Sequence, residues 1–173
     1  STVNDGKIDF GANAIDAFTT AGSAATDSLT LVSGSGTITT ANIGVTTPLN
    51  GLLMNSSGGA SAITIKRIGT FGGAAGVTGT TTIGNAATAT LTLDNGVANT
   101  ASGFNFGGAT TLNAAGDIVT DKDINIETDE DLTFAPGQTS GDLKITGDFD
   151  VVATTSNDTI TVSGNIKGVD ENT

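Results

Sequence analysis

The chain has 173 residues, a formal net charge of −12, and no cysteine, histidine, tryptophan or tyrosine. These absences exclude a disulfide framework, thiolate or imidazole metal sites, and catalysis by Cys–His or Ser–His–Asp arrangements. Gly, Ala, Ser and Thr make up 90 residues, whereas Leu, Ile, Val and Phe make up 41, enough for a thin core. We therefore expect a single β-rich domain over residues 1–173 that is not an enzyme.

The charge is unevenly distributed along the chain. Residues 1–100 contain 5 acidic and 3 basic side chains, and the remainder contains 13 acidic and 3 basic ones. Nucleic acids and anionic membrane surfaces attract basic proteins, so we expect neither as a partner. No apolar run approaches the ~20 residues that span a bilayer, which argues against membrane insertion. An acidic chain without cysteine that begins at Ser1 predicts an extracellular or cell-surface protein whose leader peptide has been removed.

The N-terminal segment, residues 1–10, ends in an alternating Ile8-Asp9-Phe10 sequence that predicts a strand. Such a strand either completes the sheet of its own chain or is exchanged into the sheet of a neighbouring copy. Residues 13–20 (NAIDAFTT) are the best candidate for a helix of one or two turns. The Gly-rich stretch at residues 69–84 is either a loop or a tightly packed region. It is not followed by a clear helix, so it does not predict a phosphate-binding loop.

Short apolar–polar–apolar units followed by Gly, Asn or Asp recur through the chain. Alternation places the apolar members on one face of a strand and threonine on the other, while Gly and Asn supply the corners. These units are centred on Thr30, Thr64, Thr92, Asn105, Asn125, Thr133, Lys144, Asp150 and Thr161.

The clearest repeat lies in residues 110–169. Residues 142–152 (DLKITGDFDVV) align with residues 159–169 (TITVSGNIKGV) at an offset of 17, and Ile124 precedes Leu143 by 19. A repeat of this length suits one turn of a β-helix, and it also suits the consecutive hairpins of a β-sandwich. Strands of three residues favour the β-helix, because hairpin strands usually hold about five or six. The predicted fold is therefore all-β, a β-helix with a β-sandwich as the alternative.

Residues 121–131 (DKDINIETDED) form the densest acidic cluster. Strand alternation predicts that four oxygen-bearing side chains share one face, and such ligands suit Ca²⁺. They are Asp121, Asp123, Asn125 and Glu127. The calcium-loop pattern fails, because its required Gly and Glu positions hold Ile126 and Leu132. We interpret the cluster as a solvated face that protects a strand edge, with Ca²⁺ as the alternative, and we predict no catalytic, cofactor or metal residue. The same interpretation applies to Asp148, Asp150 and Asp158.

Residues 114–118 (AAGDI) and 140–145 (SGDLKI) resemble the repeats of β-helical autotransporter passengers and filamentous haemagglutinin-like adhesins. The composition of the whole chain resembles that of S-layer and extracellular filament subunits. These resemblances imply a structural subunit that assembles with copies of itself into a filament or surface layer. The alternative is an adhesin module that binds a host or neighbouring-cell surface. Adhesin passengers run much longer than this chain, which favours a small polymerising subunit or a fragment.

Overall fold

Sixteen short strands make up the regular secondary structure of the described residues. The structure is a computed structural model that describes residues 6–18, 26–55, 62–94, 103–137 and 140–169. The strands are β1 (Ile8–Asp9), β2 (Ser28–Leu31), β3 (Ile38–Ile43), β4 (Gly51–Met54), β5 (Ala62–Ile68), β6 (Thr81–Ile83), β7 (Thr90–Asp94), β8 (Phe104–Phe106), β9 (Thr110–Asn113), β10 (Ile118–Asp121), β11 (Ile124–Thr128), β12 (Leu132–Ala135), β13 (Asp142–Ile145), β14 (Phe149–Ala153), β15 (Ile160–Val162) and β16 (Asn165–Gly168). No helix occurs in these ranges, and hence none that could cross a membrane.

Each pair of hydrogen-bonded strands runs parallel and joins successive turns of the chain. The chain therefore coils into a parallel β-solenoid of about five turns. Hairpins of a β-sandwich would pair antiparallel, because a tight turn reverses the strand direction. The structure thus confirms the all-β prediction, and it confirms the β-helix rather than the β-sandwich.

The solenoid has three faces. Face 1 contains β1, the first halves of β3 and β5, and then β7, β10, β13 and β16. Face 2 contains the bridge residue Ile15, the ends of β3 and β5, and then β8, β11 and β14. Face 3 is a separate six-stranded sheet of β2, β4, β6, β9, β12 and β15.

Two long strands, β3 and β5, run around the corner between faces 1 and 2. In β3, the consecutive residues Thr40 and Ala41 are both buried, so the alternation of inward and outward side chains shifts there by one residue. In β5, the same shift lies between Ile65 and Ile68. Because the backbone ladder continues through these corners, faces 1 and 2 form one ten-stranded sheet.

The turns of the solenoid differ in length. On face 1, the first turn joins Ile8 to its partner Ile38, and the shorter last turn joins Leu143 to its partner Ile166. The offset of 17 residues between the two aligned segments of residues 110–169 predicted the length of one turn, and this prediction is wrong. The offset aligns Leu143 with Ile160, which lies on a different face. The alignment instead superimposes two corners of similar sequence, the corner between β13 and β14 and the corner between β15 and β16. Both consist of a strand, a glycine and a second strand, and such corners occur between different pairs of faces. The solenoid also extends well beyond the predicted repeat region, since loops of unequal length hide the repeat in the N-terminal half.

The N-terminal segment lies in the sheet of its own chain where the structure describes it. Ile8 pairs with Ile38, and residues 1–5 lie outside the described residues. The predicted helix at residues 13–20 is wrong for residues 13–18, because Ile15 makes a parallel bridge to Ile43. Its remaining two residues lie outside the described ranges. A segment this short has little helical stability of its own, so tertiary pairing decides its conformation.

The core consists of columns of inward-facing side chains, one from each turn. Ile63, Leu91 and Ile118 occupy one such column on face 1, and none of them is exposed to solvent. Successive strands lie about 4.8 Å apart, so aliphatic side chains in register contact each other directly. Phe104 and Phe106, both in β8, stack on face 2 with ring centroids 6.4 Å apart and an angle of 23° between the ring planes. Stability therefore depends on each column being continuous.

We expect Leu91→Ala to lower the free energy of unfolding by about 2–5 kcal/mol, because it opens a cavity in a closed column. Thr92→Ala is the matched control. It changes the next residue of β7, which faces outward, and it should cost less than about 1 kcal/mol. Chemical denaturation of both variants tests this, and equal losses would contradict the assignment of inward and outward faces.

Candidate functional site

The acidic stretch at residues 121–131 does not form one strand face. Strand β10 ends at Asp121 and β11 begins at Ile124, with Lys122 between them at a positive φ of 69°. The prediction that Asp121, Asp123, Asn125 and Glu127 share a face is therefore wrong, because a corner interrupts the alternation. Among the residues that the structure describes, no three carboxylates come together in a group that could hold a metal ion.

Several of these carboxylates bond instead to the next turn of the solenoid. Asp123 Oδ1 accepts a hydrogen bond from the backbone N–H of Asp148 at 3.0 Å, and Asp131 Oδ1 accepts one from Thr159 at 2.8 Å. Asp117 Oδ1 likewise accepts from the N–H of Asp142 at 3.0 Å. At a corner the ladder is interrupted, and a carboxylate supplies the acceptor that the backbone lacks.

The remaining acidic side chains include one more that bonds to the next turn, one that bonds locally and one that faces solvent. Asp129 accepts a hydrogen bond from the hydroxyl group of Thr154 in the next turn, and Asp158 accepts one from the hydroxyl group of the nearby Thr155. Asp150 is exposed on β14. The bond of Asp129 thus also joins successive turns of the solenoid.

Glu127 holds the Gly-rich loop that follows β5. Its Oε2 accepts hydrogen bonds from the backbone N–H of Gly72 at 2.7 Å and from Asn105 Nδ2 at 2.8 Å. Asn105, which is almost fully buried, also donates to the carbonyl oxygen atoms of Thr70 and Gly73. The loop closes tightly, because a Cβ atom on Gly69 would collide with the backbone of residues 74–76. This part of the Gly-rich stretch is a fixed corner of the solenoid.

The sequence contains two Asn-X-Ser/Thr sequons for N-glycosylation, Asn55-Ser56-Ser57 and Asn157-Asp158-Thr159, and their asparagines differ in accessibility. Asn55 is fully buried, and its side chain bonds to the N–H of Ser33 at 3.1 Å and to the carbonyl of Gly34 at 3.4 Å. That amide is therefore occupied in the folded chain. Asn157 lies on an exposed turn between β14 and β15.

The C-terminal turn, β14 to β16, differs from the rest of the solenoid. Ile160 belongs to the inward column of Leu132, and Ile166 belongs to the inward column of Leu143. Leu132 and Leu143 are 0% exposed, whereas Ile160 is 41% and Ile166 is 59% exposed. The apolar columns thus end in solvent.

The outer backbone edges of this turn also lack partners among the described strands. Strand β14 pairs only with β11, β15 only with β12, and β16 only with β13. Within the described ranges, the C-terminal turn therefore presents three unpaired parallel strand edges around an open apolar core. Sequence reasoning identified the apolar residues of these strands but not their exposure. Their place at the end of a stack follows only from the pairing.

At the N-terminal end of the solenoid, apolar side chains are also incompletely covered. Ile8, Ile15 and Leu29 are half-buried, although their columns are fully buried further along. Phe18 in the same turn is 84% exposed. The two ends of the solenoid therefore share an apolar character, and we refer to them as the C-terminal end (β14, β15 and β16) and the N-terminal end (β1, Ile15 and β2).

In comparisons with known proteins, the chain matches no protein-family model, no curated protein and no solved structure.

Two ion pairs of face 1 make the C-terminal turns sensitive to pH. Lys167 Nζ lies 2.7 Å from Asp142 Oδ2, and this hydrogen bond holds the pKa of Asp142 below its ordinary value of 3.8. Lys144 Nζ lies 2.6 Å from Asp117 Oδ2, and this bond raises the pKa of Lys144 above its ordinary value of 10.5. The contribution of Asp142 is thus present above pH 3.8 and is lost as the pH falls through its folded pKa. The contribution of Lys144 is present below pH 10.5 and is lost as the pH rises through its folded pKa.

We expect the melting temperature to fall as the pH drops below about 4, and to fall less steeply in Asp142→Asn, which lacks the titrating carboxylate. At pH 7 the variant should already be less stable than the native chain, because the ion pair with Lys167 is lost. Asp150→Asn is the matched control, since Asp150 is exposed on β14, the next strand in the sequence. Thermal melts followed by circular dichroism measure this, and identical acid profiles for the native chain and Asp142→Asn would refute the assignment.

Proposed function

We propose that this protein is a non-enzymatic structural subunit that assembles end to end into an extracellular filament or surface layer. The observation that carries the proposal is the exposure of Ile160 and Ile166 at the open C-terminal end. A parallel strand edge beside an apolar column is the template on which another turn of solenoid is added.

A second copy of the chain is the occupant that suits this end. Its own first turn consists of parallel strands with the same inward apolar pattern, so it can continue both the backbone ladder and the columns. Parallel pairing requires that copies join head to tail. A head-to-tail contact that uses different surfaces on each copy does not close on itself, and it therefore propagates into a fibre.

The extracellular location is part of the proposal. It is supported by the acidic, cysteine-free composition and by the resemblance of the chain to surface and filament proteins. The net charge of −12 also keeps separate copies apart at low salt, so added salt should favour assembly.

An adhesin module remains the second candidate, and one feature of face 3 favours it. Thr82, Thr111, Thr133 and Thr161 are in direct register and form an outward row of hydroxyl groups. Such a flat, uncharged row offers hydrogen bonds to a partner lying across the face. An adhesin would remain a monomer and bind its partner in a saturable way.

The proposal predicts that Ile160→Asp prevents assembly, because it places a charge at the centre of the apolar end. Thr161→Asp adds the same charge to the next residue of β15, whose side chain faces outward, and it should still assemble. Negative-stain electron microscopy and sedimentation velocity measure assembly, and circular dichroism checks that both variants keep their β-structure. Dispersed particles of the native chain, or equal assembly of both variants, would overturn the proposal.

A further inference from the structure

The two ends of the solenoid overlap by one strand when copies are placed head to tail. The solenoid ends on face 1 with β16, one strand beyond the last strands of faces 2 and 3. It also begins on face 1, with β1. If Ile15 and β2 of the next copy cover β14 and β15, only one strand position remains on face 1 between β13 and the β3 of that copy. Two strands, β16 and the β1 of the next copy, compete for it.

We propose that β16 of one copy takes the position of β1 in the next copy, so that subunits are joined by strand replacement. This inference rests on the proposed end-to-end assembly and specifies its register. Strand β16 then lies between its own β13 and the β3 of the next copy.

Four inward apolar positions of the C-terminal end meet apolar positions of the next copy in this register. Continuing the observed pairings by one turn places Ile160 on Leu29, Val162 on Leu31, Val151 on Ile15 and Ile166 on Ile38 of the next copy. All four pairs are apolar, so these columns continue through the junction as buried core.

The outward positions in this register avoid repulsion. Asp150 is placed beside Ala14 of the next copy, Lys167 beside Thr39, and Thr161 beside Thr30. Like charges directly opposite each other in a sheet are destabilising, and these direct pairs contain none. The absence of like-charge pairs favours this register, because two copies that each carry a net charge of −12 otherwise repel each other.

Strand β1 is weakly held and can be replaced. It has two residues, which pair with Ile38 and Thr39, and the bonds at its ends are Ile8 N–H to the Thr37 carbonyl at 2.9 Å and Phe10 N–H to the Thr39 carbonyl at 3.1 Å. Its ion pair, between Lys7 and Asp9, is exposed to solvent. Strand β16 has four residues, so the replacement exchanges a short ladder for a longer one.

The simpler arrangement, with β1 of the next copy stacked on β16, is less favourable. It keeps both strands on face 1, and faces 2 and 3 then lack a strand at the junction. Val151, Ile160 and Val162 would remain uncovered, and contact would be limited to the two residues of β1. This arrangement does place Lys167 beside Asp9 of the next copy, which makes the two registers distinguishable by cross-linking.

Engineered cysteine pairs can distinguish these registers, because the native chain has no cysteine. Within one copy, residues 30 and 161 lie five strand spacings apart on face 3, about 24 Å, which is far beyond the reach of a disulfide. We expect the double variant Thr30→Cys/Thr161→Cys to form disulfide-linked ladders on oxidation. The double variant Asp9→Cys/Lys167→Cys should form none.

Ladders from the Asp9/Lys167 pair alone would overturn strand replacement and leave end-to-end assembly intact. Fibres without ladders from either pair would also overturn it, since assembly would then use another surface. Dispersed particles in the native chain would contradict both proposals.

A second variant tests the replacement of β1 directly. Ile8→Asn weakens the attachment of β1 to β3, and we expect it to accelerate assembly several-fold, because it frees the position that β16 occupies. Simple stacking predicts the opposite, since β1 would be part of the junction. Lys7→Gln, which changes an exposed side chain in the preceding position, is the control and should have little effect. Light scattering gives the rate, and slower assembly of Ile8→Asn would refute strand replacement.

Discussion

The in-register parallel pairing of each turn with the next is the constraint on which the rest of this structure depends. Because each strand pairs with the strand about one turn away, a residue's neighbours are its counterparts in the adjacent turns. Inward positions therefore become columns of mostly apolar residues, and outward positions become rows. Small residues suffice, since contacts along a column span only the strand spacing of about 4.8 Å. A chain rich in threonine, alanine and glycine can form a closed core in this way.

The same constraint explains the use of acidic side chains. At the corners that lie between separate strands, the backbone ladder is interrupted, and N–H groups there need another acceptor. Asp117, Asp123 and Asp131 supply acceptors to the following turn, so part of the acidity of the C-terminal half has a structural role. Asp142 and Asp117 also form ion pairs with lysines one turn later, and these ion pairs add to the contacts between successive turns. A dense acidic stretch is thus distributed over several corners.

Each turn of a solenoid exposes strand edges and apolar columns on which a further turn can pack. The last turn contributes the same apolar columns as the turns before it, but its outer side meets solvent among the described residues. Solenoids generally need polar capping elements or a partner at such ends. The proposed continuation by a second copy uses the property that builds the solenoid itself, namely the ability of one turn to template the next. The overlap of β16 with β1 then makes the junction a competition between two strands for one position.

Much of the fold could be read from the sequence. The apolar–polar–apolar units, such as those around Thr92 and Thr133, became strands with the predicted inward and outward faces. Strand alternation depends only on local backbone geometry, so a few residues determine it. The preference for a β-helix also rested on a local feature, the length of the strands. Strands of three residues separated by glycine do not suit hairpins.

Pairing partners could not be read in this way. The repeat alignment placed Leu143 with Ile160, although Leu143 pairs with Ile166, because corners of similar sequence recur on different faces. The conformation of Lys122 divided an acidic stretch that alternation alone had placed on one face. The exposure of Ile160 likewise has no local signature, since its own strand resembles buried ones. The sequence by itself determined which side of each strand is apolar, through the two-residue period of the extended backbone. Only the tertiary structure decided which turn is last and which edges remain open, because these depend on contacts between residues more than twenty positions apart.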